Sequence, residues 1–275
     1  MICDILGNLG ILYTNQNDLD KAEECGLEAL EIGRRNYDLL TAAKERYTMD
    51  KQLRQALRSL ASVYKAQGRY DEAERLYGEA FNIASKNLMD QDCLEALVAA
   101  VEQTENHLLS GDIERAVRLA EYLCDGSYRN FRGPDSLAKA ERTYLLGRVY
   151  NANKQYDYAE RVLRAALVWY ERVYGVNHNK TGECVSHLGI ALMGQNKLDD
   201  ETRAVLQRSL DINILNMGPD AENVGVANKN LGVFHNNKGE YIQVKRYYKE
   251  ALRISTKVHG PEHPSTVELK KFSKG

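Results

Sequence analysis

Near the end of the 275-residue chain, residues 259–266 read HGPEHPST, a stretch that ends one helix and starts another. Gly260 can adopt the left-handed backbone that commonly closes a helix. The two prolines of the stretch cannot continue a helix interior. Ser265 and Glu268 have the Ser-x-x-Glu spacing of a capping box, so we expect a new helix to begin at Ser265.

Glycine-marked loops recur upstream at a nearly fixed interval. Gly133, Gly175 and Gly218 each open such a loop, and with Gly260 they are spaced 42, 43 and 42 residues apart. A constant period of this length is typical of stacked helical repeats. Each unit of such an array packs only on its neighbours. We therefore expect a repeat array rather than a single globular core.

Six segments share one pattern: a first helix with an anchor residue, a polar turn, and a second helix with an apolar stripe at helical spacing. The anchors are Leu9, Leu60, Gln103, Leu146, Leu188 and Leu231. Second helices are predicted to start at the capping boxes Asp20 with Glu23, Asp71 with Glu74, and Asp157 with Glu160. Tight helix crossings are predicted at small residues, namely Ala22, Ala73, Ala116 and Ala159, with Thr202 and Val244 at the corresponding places of the last two units. In the longer first unit we expect a turn near residues 46–50.

The first two units contain Leu9-Gly10-x-x-Tyr13 with Ala22, and Leu60-Ala61-x-x-Tyr64 with Ala73. These motifs resemble the tetratricopeptide repeat (TPR). The longer period and the Gly-Pro-Glu-His-Pro loop at 260–264 resemble more specifically its kinesin light chain-like subtype. The resemblance covers nearly the whole chain and implies an all-α, right-handed superhelical solenoid of antiparallel helix pairs.

We expect one domain over residues 1–275 with about six repeats. The repeats are placed near residues 3–50, 51–92, 93–135, 136–178, 179–221 and 222–264, and residues 265–275 start a terminal helix.

Composition excludes several classes of function. The chain has 37 Lys and Arg against 39 Asp and Glu, a balance that gives no reason to expect nucleic acid or an anionic membrane as a partner. No segment approaches the length of an uninterrupted apolar membrane span. The five cysteines are far apart and odd in number, which favours reduced thiols over disulfides or a zinc site. We expect a cytoplasmic protein.

No catalytic motif is present: there is no P-loop, no G-x-S-x-G and no HExxH. His259 and His263 have a spacing that can bind a metal on a helix, but the prolines between and after them break any helix there. A role in structuring the loop is therefore expected for both. We predict a protein that is not an enzyme and that needs no metal or cofactor.

The first helices of a solenoid line its concave groove, where we expect a peptide or partner protein to bind. The candidate residues are Asn8, Arg58, Lys65, Tyr144, Arg148, Asn151, Lys229, Asn230 and Asn236. Asn8 and Asn230 directly precede an anchor, a position at which the light-chain resemblance implies an asparagine suited to hold a peptide backbone. The cations suit an acidic segment, whereas Glu102 and Glu105 of the third unit would repel one. The same residues could equally form a solvated helix face.

The sequence thus predicts an adaptor or scaffold for protein–protein interaction. Two alternatives stay open. The chain could be a regulatory or sensor array of a larger signalling protein or enzyme, or it could self-associate through the ends of the solenoid as a structural scaffold.

Overall fold

The computed structural model describes residues 2–38, 43–86, 90–125 and 135–273, which form thirteen α-helices and no strand. The helices are α1 (Ile2–Asn15), α2 (Leu19–Asp38), α3 (Ala43–Ala66), α4 (Tyr70–Lys86), α5 (Asp90–Ser110), α6 (Ile113–Cys124), α7 (Asp135–Ala152), α8 (Tyr156–Tyr174), α9 (Asn179–Gly194), α10 (Asp200–Met217), α11 (Glu222–Asn237), α12 (Tyr241–His259) and α13 (Pro264–Ser273). Helices α1 to α12 alternate as the first and second helices of six pairs, and α13 follows the last pair. The predicted all-α repeat fold is confirmed.

The helices fall into two compact units, Met1–Ala138 and Lys139–Gly275. In the first unit each helix from α1 to α6 packs on the next, and the first helices α1 and α3 also touch. In the second unit each helix from α8 to α13 packs on the next, and α9 touches α11. That all six pairs form one domain stays a prediction.

Small residues lie where helices cross closely, as predicted. The six residues at the expected crossings are all buried: Ala22, Ala73, Ala116, Ala159, Thr202 and Val244. The glycines after the anchors of α7, α9 and α11 have the same function, namely Gly147, Gly189 and Gly232. A Cβ on Gly147, for example, would lie 2.5 Å from Cγ of Leu163, so no larger residue fits unless the Leu163 side chain or its helix shifts.

The glycine-marked loops of the second unit close their helices in one way. Gly175, Gly218 and Gly260 have φ values of 96°, 82° and 89°, and the N–H of each bonds a carbonyl of the preceding helix. Such positive φ angles are the reason for glycine at these positions. The corresponding loop at Gly133 lies outside the described residues.

A histidine three residues after the glycine caps the next helix in two of these loops. Nδ1 of His178 accepts a hydrogen bond from the N–H of Lys180, at 3.2 Å. Nδ1 of His263 accepts one from the N–H of Ser265, at 3.3 Å. Helix α13 therefore begins at Pro264 with His263 before it, and the prediction of Ser265 as the cap was wrong by two positions.

The predicted starts of the second helices were also wrong by one residue. α2, α4 and α8 begin at Leu19, Tyr70 and Tyr156, so the three aspartates lie inside the first turn. The polar turns are closed by residues with positive φ, namely Asn17, Gly68 and Lys154. Because the chain reverses there, the second residue after each already starts the helix.

The turn expected near residues 46–50 is not there, because these residues lie inside α3. The connection between α2 and α3 falls on residues 39–42, outside the described part of the chain. A helix interior and a short connection were not distinguishable here, since the stretch contains no proline and only one glycine.

Candidate peptide-binding site

In the first unit the predicted groove cations are already paired. Arg58 of α3 donates from Nε and Nη2 to the two carboxylate oxygens of Glu102, at 2.7 and 2.8 Å, and from Nη1 to Glu95 at 3.3 Å. Burial lowers the pKa of the Arg58 guanidinium, but the hydrogen bonds and charge of Glu102 outweigh burial and leave the pKa raised. The side chain is 18% exposed, so Arg58 has little surface left for a ligand.

Lys65 has a similar partner about two turns further along α3. Its Nζ lies 3.8 Å from Oε2 of Glu105 on α5. The glutamates predicted to repel an acidic ligand thus neutralise the cations predicted to attract it. Asn8 is exposed on α1.

In the second unit, two candidates lie within the helix packing. Tyr144 is 5% exposed and its ring lies 5.5 Å from that of Tyr170. Nδ2 of Asn151 donates to the carbonyl of His187 at 2.8 Å, so its amide ties α7 to α9. Arg148 is half-buried, with its guanidinium 5.6 Å from the centre of the Tyr144 ring.

Three further candidates lie on α11. Nζ of Lys229 lies 3.2 and 3.3 Å from the carboxylate oxygens of Glu268 on α13. Nδ2 of Asn230 lies 3.5 Å from Oγ of Ser186 on α9. Asn236 is exposed at the end of the helix.

Lys229 and Asn230 line a pocket of about 260 Å³ between α11, α12 and α13. Its apolar lining comes from Gly225, Val226, Ala251, Ile254, Val258 and Leu269. Val226 and Val258 are 47% and 44% exposed, so they border the opening. Glu222 and His259 also line the pocket, with Oε1 and Nε2 3.3 Å apart.

The sequence leaves this space open because two lining residues are small. Gly225 adds no side chain, and Ser255 adds only a hydroxyl, which hydrogen-bonds Oγ1 of Thr266 at 2.8 Å. The pocket is thus an apolar cavity with a polar rim, the usual composition of a recognition site. Of the nine predicted residues, it brings together only Lys229 and Asn230.

Carboxylates that link one pair to the next were missed at the sequence level. Glu23 of α2 accepts hydrogen bonds from Nε2 of Gln67 and Nη1 of Arg69, both at 2.7 Å, in the turn of the following pair. Glu160 of α8 accepts likewise from Nε2 of Gln195 at 2.8 Å and from Nζ of Lys197 at 2.6 Å.

Burial raises the pKa of the Glu160 carboxyl, but hydrogen bonds from Lys197, Gln195 and Arg164 outweigh burial and lower the pKa to about 2. These glutamates are the third residues after the aspartates of the expected capping boxes. The sequence feature that could have predicted these links is the polar turn of the next unit, in which a glutamine precedes a cation by two residues.

Within the ranges that the structure describes, no group of three or more His, Cys, Asp or Glu side chains is arranged to hold a metal ion. No helix among those residues has the length and apolar character needed to cross a membrane.

The tetratricopeptide repeat family matches the chain at residues 3–38, 53–88, 140–179 and 230–265, together more than half of its length. The chain therefore belongs to the tetratricopeptide repeat family. Its structural neighbours include kinesin light chain-like members of that fold, in agreement with the subtype indicated by the glycine loops.

BtubC (BKLC) from P. vanneervenii is 19% identical, with a TM-score of 0.71, and the match covers 90% of this chain and 94% of that one. A kinesin light chain-like protein of P. anserina with nearly identical TPR-like repeats is 18% identical, with a TM-score of 0.59, over 74% of this chain and 94% of that one. A Rap protein complexed with Competence and Sporulation Factor is 14% identical, with a TM-score of 0.60, over 97% and 68%. At these identities the likeness shows the fold. No curated protein matches the chain.

Proposed function

We propose that this chain is a non-enzymatic protein-interaction module, an adaptor or scaffold that binds a segment of a partner protein on the first helices of its second unit. The pocket between α11, α12 and α13 is the observation that carries the proposal. Its volume of about 260 Å³ is below the range of about 300–1,000 Å³ typical of small-molecule sites. It is therefore suited to one bulky apolar side chain of an extended segment.

The rim supplies groups that can hold the backbone of such a segment. The carboxamide of Asn230 has both a donor and an acceptor, as a peptide unit does. Lys229 can reach a carboxylate of the segment only by sharing or leaving Glu268. Arg58 and Lys65 are paired in the same manner, so we propose that apolar fit and backbone contacts, rather than charge, provide selectivity here.

The fold supports the proposal by analogy. The Rap protein was solved in complex with Competence and Sporulation Factor, so in that protein the fold accommodates a bound partner. A sensor array within a larger protein remains the alternative that this analogy suggests. The cytoplasmic location expected from the sequence stays a prediction.

The test is to select peptides from a random displayed library on the wild-type chain and to measure their affinities for variants. Val226→Trp places a large ring at the opening of the pocket and should weaken the selected peptides by about tenfold or more. Asn230→Ala should weaken them less, because it removes only the polar contacts. Val168→Trp is the matched control, since Val168 is 57% exposed on α8, away from the pocket.

Selected peptides should share a bulky apolar residue, and replacing it by serine should abolish binding. If Val226→Trp binds the peptides as tightly as Val168→Trp does, the pocket is not the binding site.

Self-association is a second candidate, which an apolar stripe on α1 favours. Ile2, Ile5, Leu9 and Leu12 are 62%, 53%, 37% and 50% exposed, at spacings that place them on one helix face. A contiguous exposed apolar face of this kind is typical of an interface. Light scattering over a concentration series should show association that Ile5→Glu with Leu12→Glu abolishes, and a mass independent of concentration would reject this candidate.

A further inference from the structure

The two most exposed large hydrophobic side chains of the described residues are neighbours. Ile242 is 86% exposed and Tyr241 is 70% exposed, and together they open α12. Neither side chain contributes to the packed core, so packing within the helix pair α11–α12 does not explain why these two residues are apolar. Adjacent exposed side chains of this size are typical of a contact surface.

Cations surround this apolar pair at helical spacing. Lys238 lies in the turn before α12, three or four residues ahead of the pair, and Lys245, Arg246 and Lys249 follow the pair on one face of α12. We call these six residues, Lys238, Tyr241, Ile242, Lys245, Arg246 and Lys249, the α12 basic face.

Lys245, Arg246 and Lys249 are exposed, and none of the three forms an ion pair with another residue that the structure describes. Arg246 lies 5.8 Å from the centre of the Tyr247 ring, and Lys238 lies 3.5 Å from Glu240. The nearest carboxylate on the same helix, Glu250, is held by Arg253 at 2.7 Å. On α10, Asp211 accepts a hydrogen bond from Nε2 of Gln207, one turn before it, at 2.8 Å.

The basic face continues into a cleft of about 560 Å³ between α10 and α12. The α12 side of the cleft is lined by Arg246, Tyr247, Lys249, Glu250 and Arg253, of which the last two pair with each other. Gln207 and Leu210 line it on the α10 side, and Asn228 of α11 completes the lining. A chain segment that contacts Ile242 can therefore follow the cations into a groove of the protein.

The contrast with the first helices decides where an acidic ligand would bind. Arg58, Lys65 and Lys229 would each have to leave a carboxylate of the protein to bind one of a ligand. Lys245 and Lys249 would not, so their attraction for a carboxylate is not offset by a broken pair.

We propose that the α12 basic face docks an acidic segment of a partner protein, with an apolar side chain against Tyr241 and Ile242 and carboxylates against Lys245, Arg246 and Lys249. This surface is separate from the pocket proposed above and does not depend on it. A nucleic acid is less suited, since tight binding engages about 6–10 phosphates and this face offers four cations in a chain of net charge −2. The cleft favours a chain segment over a flat lipid surface.

The probe is a fluorescent short peptide of Asp and Glu residues around one central Leu, whose binding is followed by anisotropy at low and high salt. Lys245→Glu with Lys249→Glu should weaken binding by about tenfold or more. Ile242→Ser should weaken it less, and the loss should equal that caused by replacing the central Leu of the peptide by Ser. Arg161→Glu with Arg172→Glu, two exposed cations of α8, makes the same change in net charge and should leave binding unchanged.

Two results would overturn the proposal. One is an equal loss of affinity in the α8 control, which would mean attraction by net charge alone. The other is tighter binding of phosphatidylserine vesicles or of short single-stranded DNA than of the peptide, which would assign the face to a different class of partner.

Discussion

The Arg58 guanidinium donates to Glu102 through two hydrogen bonds and so joins the first helix of the second pair to the first helix of the third. The two residues are 44 positions apart, close to one repeat. At this spacing neighbouring first helices present nearly equivalent positions to each other, so opposite charges on consecutive repeats can become direct partners. Arg58 thus links two neighbouring helix pairs.

Arg58→Gln should therefore destabilise the first unit. It leaves the carboxylate of Glu102 without its bidentate partner, and the loss of a hydrogen-bonded, mostly buried charge pair typically costs about 1–3 kcal/mol. Urea unfolding measures the free energy of unfolding, and Glu102→Gln in the Arg58→Gln background should recover part of the loss.

The pair between Arg34 and Glu79 is the control for this measurement. Its side chains are 52% and 39% exposed, so breaking it should cost less than about 1 kcal/mol. Equal costs for the two pairs would contradict the importance of burial at Arg58.

Ala221→Ser should stabilise the second unit. Ala221 occupies the N-cap position of α11 with extended backbone, and it makes no side-chain cap. At the same position of the loops before α9 and α13, His178 and His263 supply Nδ1 as the acceptor. A serine oxygen should add about 0.5–2 kcal/mol to the free energy of unfolding. Ala221→Val, which adds volume without an acceptor, should give no gain in the same thermal or urea measurement.

Acid should destabilise the chain through His187. Burial, with a smaller contribution from the charge of Arg148, lowers the pKa of His187 to about 4, whereas an ordinary histidine titrates near about 6.5. Between these two pH values His187 is therefore protonated in the unfolded chain but neutral in the folded chain. The corresponding stability is complete above about pH 6.5 and is lost as the pH falls toward about 4, by about 2–3 kcal/mol.

The check is to compare urea unfolding at neutral and mildly acidic pH in the wild type and in His187→Gln. Burial also lowers the pKa of His107. His107 and the carboxylates titrate in both proteins, so their contributions cancel when the pH dependence of the variant is subtracted from that of the wild type. The variant should show a shallower pH dependence. Identical slopes would mean that His187 is protonated in the folded state.

Gly147→Ala should destabilise its helix pair although alanine is the better helix former. The added Cβ would lie 2.5 Å from Cγ of Leu163, and such overpacking costs about 1–3 kcal/mol, against a gain in helix propensity of about 1 kcal/mol. Gly10, also one residue after an anchor, is the comparison, because its Cβ would make only ordinary contacts, with the carbonyl oxygen of Ala22 at 3.4 Å and Cβ of Cys25 at 3.9 Å. Gly10→Ala should be neutral or stabilising, as judged by the midpoint of thermal unfolding. If both substitutions behave alike, close approach does not explain the glycine.

Periodicity was sufficient to predict the repeat, the alternation of helices and the small residues at the crossings. The small size of Ala159, for example, is required by its own helix and by the one neighbouring helix on which it packs. Because that neighbour lies at a constant distance along the sequence, a single repeat segment is enough to predict the crossing. The helix starts were displaced because turn closure depends on the backbone of Asn17, Gly68 and Lys154, and two of these are not glycines.

The site was less accessible to sequence reasoning. Counting positions from an anchor identifies the first-helix face, but it does not show which residues of that face are covered by the next helix. Tyr144 and Asn151 are covered, and Lys229 and Asn230 border a pocket that exists only because Gly225 and Ser255 are small. Partners such as Glu102 for Arg58 follow from the register between repeats, which no single segment contains.

The links from Glu23 to Gln67 and from Glu160 to Gln195 have a consequence for how the array opens. Each carboxylate belongs to one helical hairpin and its donors belong to the next. If either hairpin frays, the other therefore loses these hydrogen bonds. Amide hydrogen exchange should accordingly show adjacent hairpins losing protection together. Glu160→Ala should uncouple the exchange of its two hairpins before it lowers the protection of either.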